Sequence, residues 1–127
     1  MLIAYKVIIS LVTVIHILGF AMGVFMPAEM AKEFGVEFTP ELQRTFVHFG
    51  ILLGIFSVFL AQATYWTFKG KAEGIHLGLL AGIGMTAAFF IDIAMVGGEM
   101  DYMLLVMGLL TTGTAYMAGK SSSEASE

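Results

Sequence analysis

Three residues that can ionise or bind a metal lie inside apolar stretches of the sequence: His16, His48 and Asp92. Ionisable residues within a membrane span are energetically expensive and are therefore candidate functional residues. Arg44 precedes His48 by four residues, so both lie on one helix face. At 1.5 Å per residue, His48 and Asp92 lie about 9 Å and about 8 Å from the ends of their stretches on one side. The sequence thus predicts a polar cluster of Arg44, His48 and Asp92, with His16 beneath it. His76, near the opposite side, is interpreted as an interfacial residue.

This cluster has a structural and a functional interpretation. In the structural one, Asp92 pairs with Arg44 or His48 and holds two helices together, because a buried charge needs a partner whatever the function. In the functional one, the residues line a small pocket that opens outward, and Arg44 meets an anionic or carbonyl group. The structural interpretation alone expects Asp92→Asn to impair assembly without changing any bound ligand.

Two cofactor hypotheses use some of the same residues. His16 and His48 are candidate axial ligands of a haem b between the first two helices. Met22 and Met26, spaced by four, are weak candidates for a Cu(I) site with the two histidines, because thioethers and imidazoles suit copper. However, methionine is also a common gap-filling hydrophobe.

Enzyme signatures are missing from the sequence. There are no cysteines, which excludes thiolate ligands and cysteine nucleophiles. No Ser-His-Asp pattern, P-loop or HExxH motif occurs. We therefore expect no catalytic residues, and the metal and cofactor are left unknown.

The elements that position these residues follow from composition. The chain is 58% hydrophobic and 13% charged, and a hydrocarbon core of about 30 Å requires about 20 apolar residues in a helix. Four apolar stretches approach or exceed that length, at about 2–26, 45–68, 75–96 and 103–119. The sequence predicts an all-α polytopic membrane protein, a four-transmembrane-helix bundle in one domain (1–119), followed by a disordered polar tail (120–127). Six Lys and Arg residues without a basic cluster exclude a nucleic-acid partner.

The loops add local predictions. Residues 28–35 read as a short amphipathic outer segment that ends at Gly35. Thr39, Pro40 and Glu41 are typical of a helix start, with Thr as the cap and Pro at the first helical position. If the termini and second loop share one side, that side has four of the six basic residues: Lys6, Lys69, Lys71 and Lys120. Positive residues favour the cytoplasm, which predicts cytoplasmic termini.

Small residues recur at intervals of four in every stretch, for example Gly19 and Gly23, or Gly50 and Gly54. Such faces let helix backbones approach closely in lipid. We expect them to pack the four helices against one another. Self-association through these faces, or contact with other membrane subunits, is the alternative.

Two consecutive segments, FMPAEMAKEFGV and ELQRTFVHFGILLGIF, carry a family resemblance. A proline, a short amphipathic stretch and a glycine precede an arginine that enters a glycine-rich helix. Over about residues 10–60 this order resembles the DoxX-like group of small bacterial four-helix membrane proteins. The resemblance implies a bacterial inner membrane and makes Arg44 a polar anchor. Some members look like subunits of quinone-linked or thiosulfate redox systems, but the cysteines of some redox members are absent here.

The sequence therefore predicts a small accessory or binding protein whose outer-half polar pocket holds a lipid-like or quinone-like molecule. Three alternatives remain open: a haem- or quinone-linked electron-transfer subunit, a Cu(I)-handling protein, and a purely structural subunit of a membrane complex.

Overall fold

Five α-helices account for most of the residues that the computed structural model describes, which are 1–95 and 102–125, with side chains described through residue 121. The helices are α1 (Leu2–Phe25), α2 (Pro27–Glu33), α3 (Pro40–Phe68), α4 (Ala72–Met95) and α5 (Tyr102–Ala125). Helices α1, α3, α4 and α5 are each long and apolar enough to cross a membrane. The predicted all-α four-helix membrane bundle is confirmed.

The four long helices form a closed ring in which each packs against two neighbours. Helix α1 contacts α3 and α5, and α4 contacts the same two helices from the other side. The Tyr5 hydroxyl crosses this ring and donates a hydrogen bond of 2.8 Å to the carbonyl of Gly74, which joins α1 to α4. Neighbours run antiparallel, so both termini and the α3–α4 turn share one end. We call it the basic end, since it has four lysines (Lys6, Lys69, Lys71 and Lys120); the opposite end is the α2 end.

Glycines bring the helix backbones into direct contact at three seams, and at the one between α3 and α4 a Cβ added at Gly74 would lie 2.9 Å from the carbonyl oxygen of Ala63. Between α1 and α3, a Cβ added at Gly23 would lie 2.7 Å from the carbonyl oxygen of Phe46 and 3.1 Å from the Cα of Gly50. The seam between α4 and α5 is reciprocal: Gly82 faces Thr112, and Gly108 faces Thr86. These glycine faces are therefore covered within the chain, as expected for intramolecular packing.

The helix ends follow the capping signals in the sequence. The Thr39 hydroxyl accepts a hydrogen bond of 3.1 Å from the amide of Leu42, and Pro40 opens α3. After α2, Gly35 has a φ of 66°, and the amide of Val36 donates to the carbonyl of Ala31 at 3.0 Å. This 6→1 bond closes a helix that ends in a left-handed residue.

Helix α2 folds back on the end of the bundle. It occupies Pro27–Glu33, within the region where the sequence predicts an amphipathic segment at 28–35. Its Met30 and Ala31 are buried against Phe46 of α3, with Met22 and Leu42 packed beside them. The connection between α1 and α3 is thereby attached to the bundle by an apolar cluster.

One boundary differs from the sequence prediction. Helix α3 begins at Pro40, as the helix-start signal at residues 39–41 predicts, five residues before the apolar span, whereas α5 continues to Ala125, beyond the predicted span that ends at 119. The predicted disordered tail is thus helical over its described part. An established helix adds each further residue at little cost, so the small polar residues after Lys120 can extend it. Val96, at the predicted end of the third span, and residues 126–127 lie outside the described residues.

Gly23→Ala should lower the free energy of unfolding by about 1–3 kcal/mol, because the new methyl group would overlap backbone atoms that cannot rotate away. Gly113→Ala is the matched control, since a Cβ there meets nothing within 4 Å. The measurement is unfolding of detergent-purified protein by dodecyl sulfate, followed by circular dichroism. Equal stability of the two variants would contradict the backbone seam between α1 and α3.

Candidate functional site

A histidine–carboxylate pair joins α3 and α4 near the α2 end. The Nε2 atom of His48 lies 3.3 Å from the Oδ1 atom of Asp92. The His48 side chain is 57% exposed, whereas that of Asp92 is only 14% exposed. The approach of these two residues agrees with the sequence prediction. The exposed imidazole of His48 is therefore held by a carboxylate that the rest of the protein largely covers.

The pair lies at the boundary of the apolar layer. A hydrocarbon core of about 30 Å takes up about 20 helical residues. Counted from Phe68, next to the basic turn, about 20 residues of α3 end at Phe49, one residue from His48. Counted from Ala72, the same number of residues of α4 ends at Ile91, beside Asp92.

Arg44 lies one turn from His48 toward the start of α3, and it is exposed. Among the described residues, the one ion pair is that of His48 with Asp92, so Arg44 does not contact Asp92. The structure therefore places Arg44 beyond the pair, where its guanidinium is open to the surroundings. This differs from the predicted three-residue cluster.

His16 is separate from the pair. It is fully buried, its Nδ1 atom bonds to the carbonyl of Val12 at 2.8 Å, and its ring packs edge-on against Phe56 at 6.5 Å between centroids. Phe56 lies eight residues from His48 on α3, about 12 Å along the helix axis. The two histidines face different surroundings at different depths. The structure thus does not bring them together as axial ligands of one haem.

The two methionines proposed as copper ligands lie in an apolar cluster and at a helix end. Met22 packs against the apolar cluster of α2 and α3, where it fills space as methionine commonly does. Met26 caps the end of α1 and is 46% exposed. Over residues 1–95 and 102–121, no three His, Cys, Asp or Glu side chains are close enough to hold a metal ion.

A buried polar layer crosses the middle of the bundle. The Nε2 atom of His16 and the hydroxyls of Thr111 and Thr112 are buried without a hydrogen-bond partner among the described residues. Phe56, against which His16 packs, faces Gly84 of α4, and Thr112 faces Gly82 of the same helix. These polar atoms therefore lie at about one level.

The structure also shows a groove that the sequence reasoning missed. A cavity of about 400 Å³ opens between α4 and α5 at the basic end, and His76, Tyr116 and Lys120 supply its polar lining. Tyr116 and Lys120 are one helical turn apart, a spacing visible in the sequence. Their proximity to His76 depends on how α4 and α5 pack, which no single-helix pattern reveals.

No protein-family model matches this chain, and no curated protein or solved structure is significantly similar to it. Function must therefore be inferred from the geometry of the described residues.

Thr111→Val should raise the free energy of unfolding by about 1 kcal/mol, because it removes a buried hydroxyl without a partner and keeps the side-chain shape. Thr67→Val is the control: the Thr67 hydroxyl donates to the carbonyl of Ala63 at 2.7 Å, so its removal should not stabilise the protein. Unfolding by dodecyl sulfate measures both. Destabilisation by Thr111→Val would show that the hydroxyl has a partner, such as an internal water.

Proposed function

We propose that this protein is a small accessory or binding protein that holds a lipid-like or quinone-like molecule at the His48–Asp92 pair. The observation that carries the proposal is the exposure of His48, at 57%, on a carboxylate that is only 14% exposed. Asp92 orients the imidazole through Nε2, and Nδ1 remains for a ligand. Because Nε2–H donates to the Asp92 carboxylate, Nδ1 of a neutral imidazole accepts a hydrogen bond from a ligand hydroxyl, and donation to a ligand carbonyl falls to Arg44.

The position of the pair suits an amphipathic ligand. At the boundary of the apolar layer, the polar head of such a molecule meets the imidazole while its apolar part stays in the hydrocarbon. Arg44, one turn outward and exposed, is available to a carbonyl or anionic group of the head. Guanidinium donors are well suited to such oxygens. The resemblance of residues 10–60 to the DoxX-like group, with Arg44 as its polar anchor, supports the same class of ligand.

A purely structural role explains the pair less well. An ion pair in which one partner is largely exposed contributes only about 0–1 kcal/mol to stability. The backbone contacts at the glycines already hold neighbouring helices together, including α3 and α4 at Gly74. A structural interpretation also does not explain why the His48 side chain faces outward.

The proposal includes a location and an orientation. Four candidate membrane-spanning helices make this a multi-pass membrane protein. We place it in a bacterial inner membrane with the basic end, and hence both termini, in the cytoplasm, because basic residues concentrate on the cytoplasmic side. The His48–Asp92 pair would then face the outer leaflet.

His48→Leu should reduce the amount of co-purified amphipathic ligand by about tenfold or more, since hydrogen bonds to charged or polarised groups contribute about 1.5–3 kcal/mol. The protein is extracted from its own membrane in polymer-bounded nanodiscs. Quinone is measured by the absorbance of an organic extract, and other lipid-like molecules by mass spectrometry. Decylubiquinone, added to ligand-free protein, is the defined probe.

Gln62→Leu is the matched control, since it replaces an exposed polar side chain of α3 about 21 Å from His48 along the helix and outside both polar ends, and it should leave this ligand in place. Asp92→Asn should cause an intermediate loss at normal folding yield. If Asp92→Asn lowers the yield while the ligand content per folded protein stays constant, the pair is structural and the proposal fails.

A further inference from the structure

Two cavities lie in line along the outer face of α4 and α5. The first, about 400 Å³ at the basic end, includes His76, Tyr116 and Lys120 in its lining. The second, about 300 Å³, is lined by α4 and α5 nearer the middle of the bundle, and its exposed lining is almost wholly apolar. It includes Ile83 and Ala87 of α4.

The helix register makes these cavities one continuous surface. On α4 the lining residues recur at intervals of three or four, and on α5 they do the same in the opposite direction. Residues at this spacing share one helix face. We call this surface the α4–α5 groove; it is lined on α4 by His76, Leu79, Ile83, Ala87 and Phe90 and on α5 by Lys120, Tyr116, Thr112 and Leu109.

The polar end of the groove lies within about one helical turn of the expected level of lipid headgroups, which the long side chain of Lys120 can reach. Lys120 is one residue before the end of the apolar part of α5 at Ser121. His76 is about one turn into α4, and Tyr116 is one turn deeper than Lys120, a position typical of interfacial aromatic residues. Within residues 1–95 and 102–121, Lys120 forms no ion pair with an acidic side chain.

The electrostatic surroundings favour an anion. Lys6, Lys69 and Lys71 lie at the same end, against Glu73 at the start of α4 and Glu124 in the last turn of α5, so basic residues are in excess there. Each lysine near an anionic membrane surface contributes about 1 kcal/mol of attraction. Lys120 therefore supplies a positive charge within the groove, and the other lysines at this end add a positive potential around it.

The length of the groove fits one acyl chain. From His76 to Ala87 the distance along α4 is about 16 Å, close to half of a hydrocarbon core of about 30 Å. A chain that starts at the headgroup level would reach the bilayer midplane at the apolar cavity. Binding of a peptide or a soluble anion would not require the apolar part of the groove.

We propose that the α4–α5 groove is a specific site for an anionic phospholipid. Lys120 and His76 bind the phosphate of the headgroup, Tyr116 contacts the glycerol region, and one acyl chain occupies the apolar part. The site is at the opposite end of the bundle from the His48–Asp92 pair and does not depend on the function proposed for that pair.

The test is native mass spectrometry of the delipidated protein in detergent, titrated with palmitoyl-oleoyl phosphatidylglycerol or with the phosphatidylcholine of the same chains. We expect the anionic lipid to bind more tightly. Lys120→Gln should weaken its binding about fivefold, and the further change His76→Gln should weaken it more. Lys71→Gln is the matched control: it removes a lysine from the same end but outside the groove, and should have a smaller effect.

A second pair of variants tests the acyl-chain part without any change in charge. Ala87→Phe fills the apolar cavity and should weaken binding of the anionic lipid, whereas Ala61→Phe, on an exposed position of α3, should not. Equal affinity for the two lipids, equal effects of Lys120→Gln and Lys71→Gln, or no difference between the two phenylalanine variants would each overturn the proposal.

Discussion

Close approach of helix backbones at glycine is the constraint on which the rest of this structure depends. In lipid, apolar side chains gain little by leaving one apolar environment for another, so helices associate through tight packing. At Gly23 and Gly50 the α1 and α3 backbones touch, and at Gly82 and Gly108 the α4 and α5 backbones do. These seams define two antiparallel pairs, which Gly74 of α4 joins by its contact with Ala63 of α3, and the positions of the polar side chains follow from how the pairs meet.

The α3–α4 contact between the two pairs sets the chemistry of both ends. At the basic end, a tight turn with Gly70 at a φ of 76° brings α4 back along α3. From that fixed point, equal lengths of the two helices bring His48 and Asp92 to the same level, where they meet at 3.3 Å. The pair is thus a consequence of the short turn about 30 Å away. Changes in the length of that turn would shift the register and separate the two side chains.

The helices and their capping signals could be predicted from the sequence because they depend on local patterns. The apolar stretches, the Thr39 cap and Gly35 are of this kind. The meeting of His48 and Asp92 could also be predicted, since it follows from depth in two helices joined by a short turn. The sequence leaves Arg44 and His48 as alternative partners of Asp92, and which of the two reaches the carboxylate depends on how α3 packs against α4. The 400 Å³ cavity at His76 depends on the register of α4 against α5, which distant parts of the chain determine.

The two polar regions at the ends differ in a way that matters for what each can bind. At the α2 end, the exposed imidazole is oriented by a carboxylate, and the cation Arg44 lies one turn further out, so a head with several hydrogen-bonding oxygens is favoured. At the basic end, Lys120 has no such partner among the described side chains, and the charge remains available to an anion. The core of the bundle, in which His16 is fully buried, lies between the two regions. The two regions can differ in specificity because each is built on its own helix contacts.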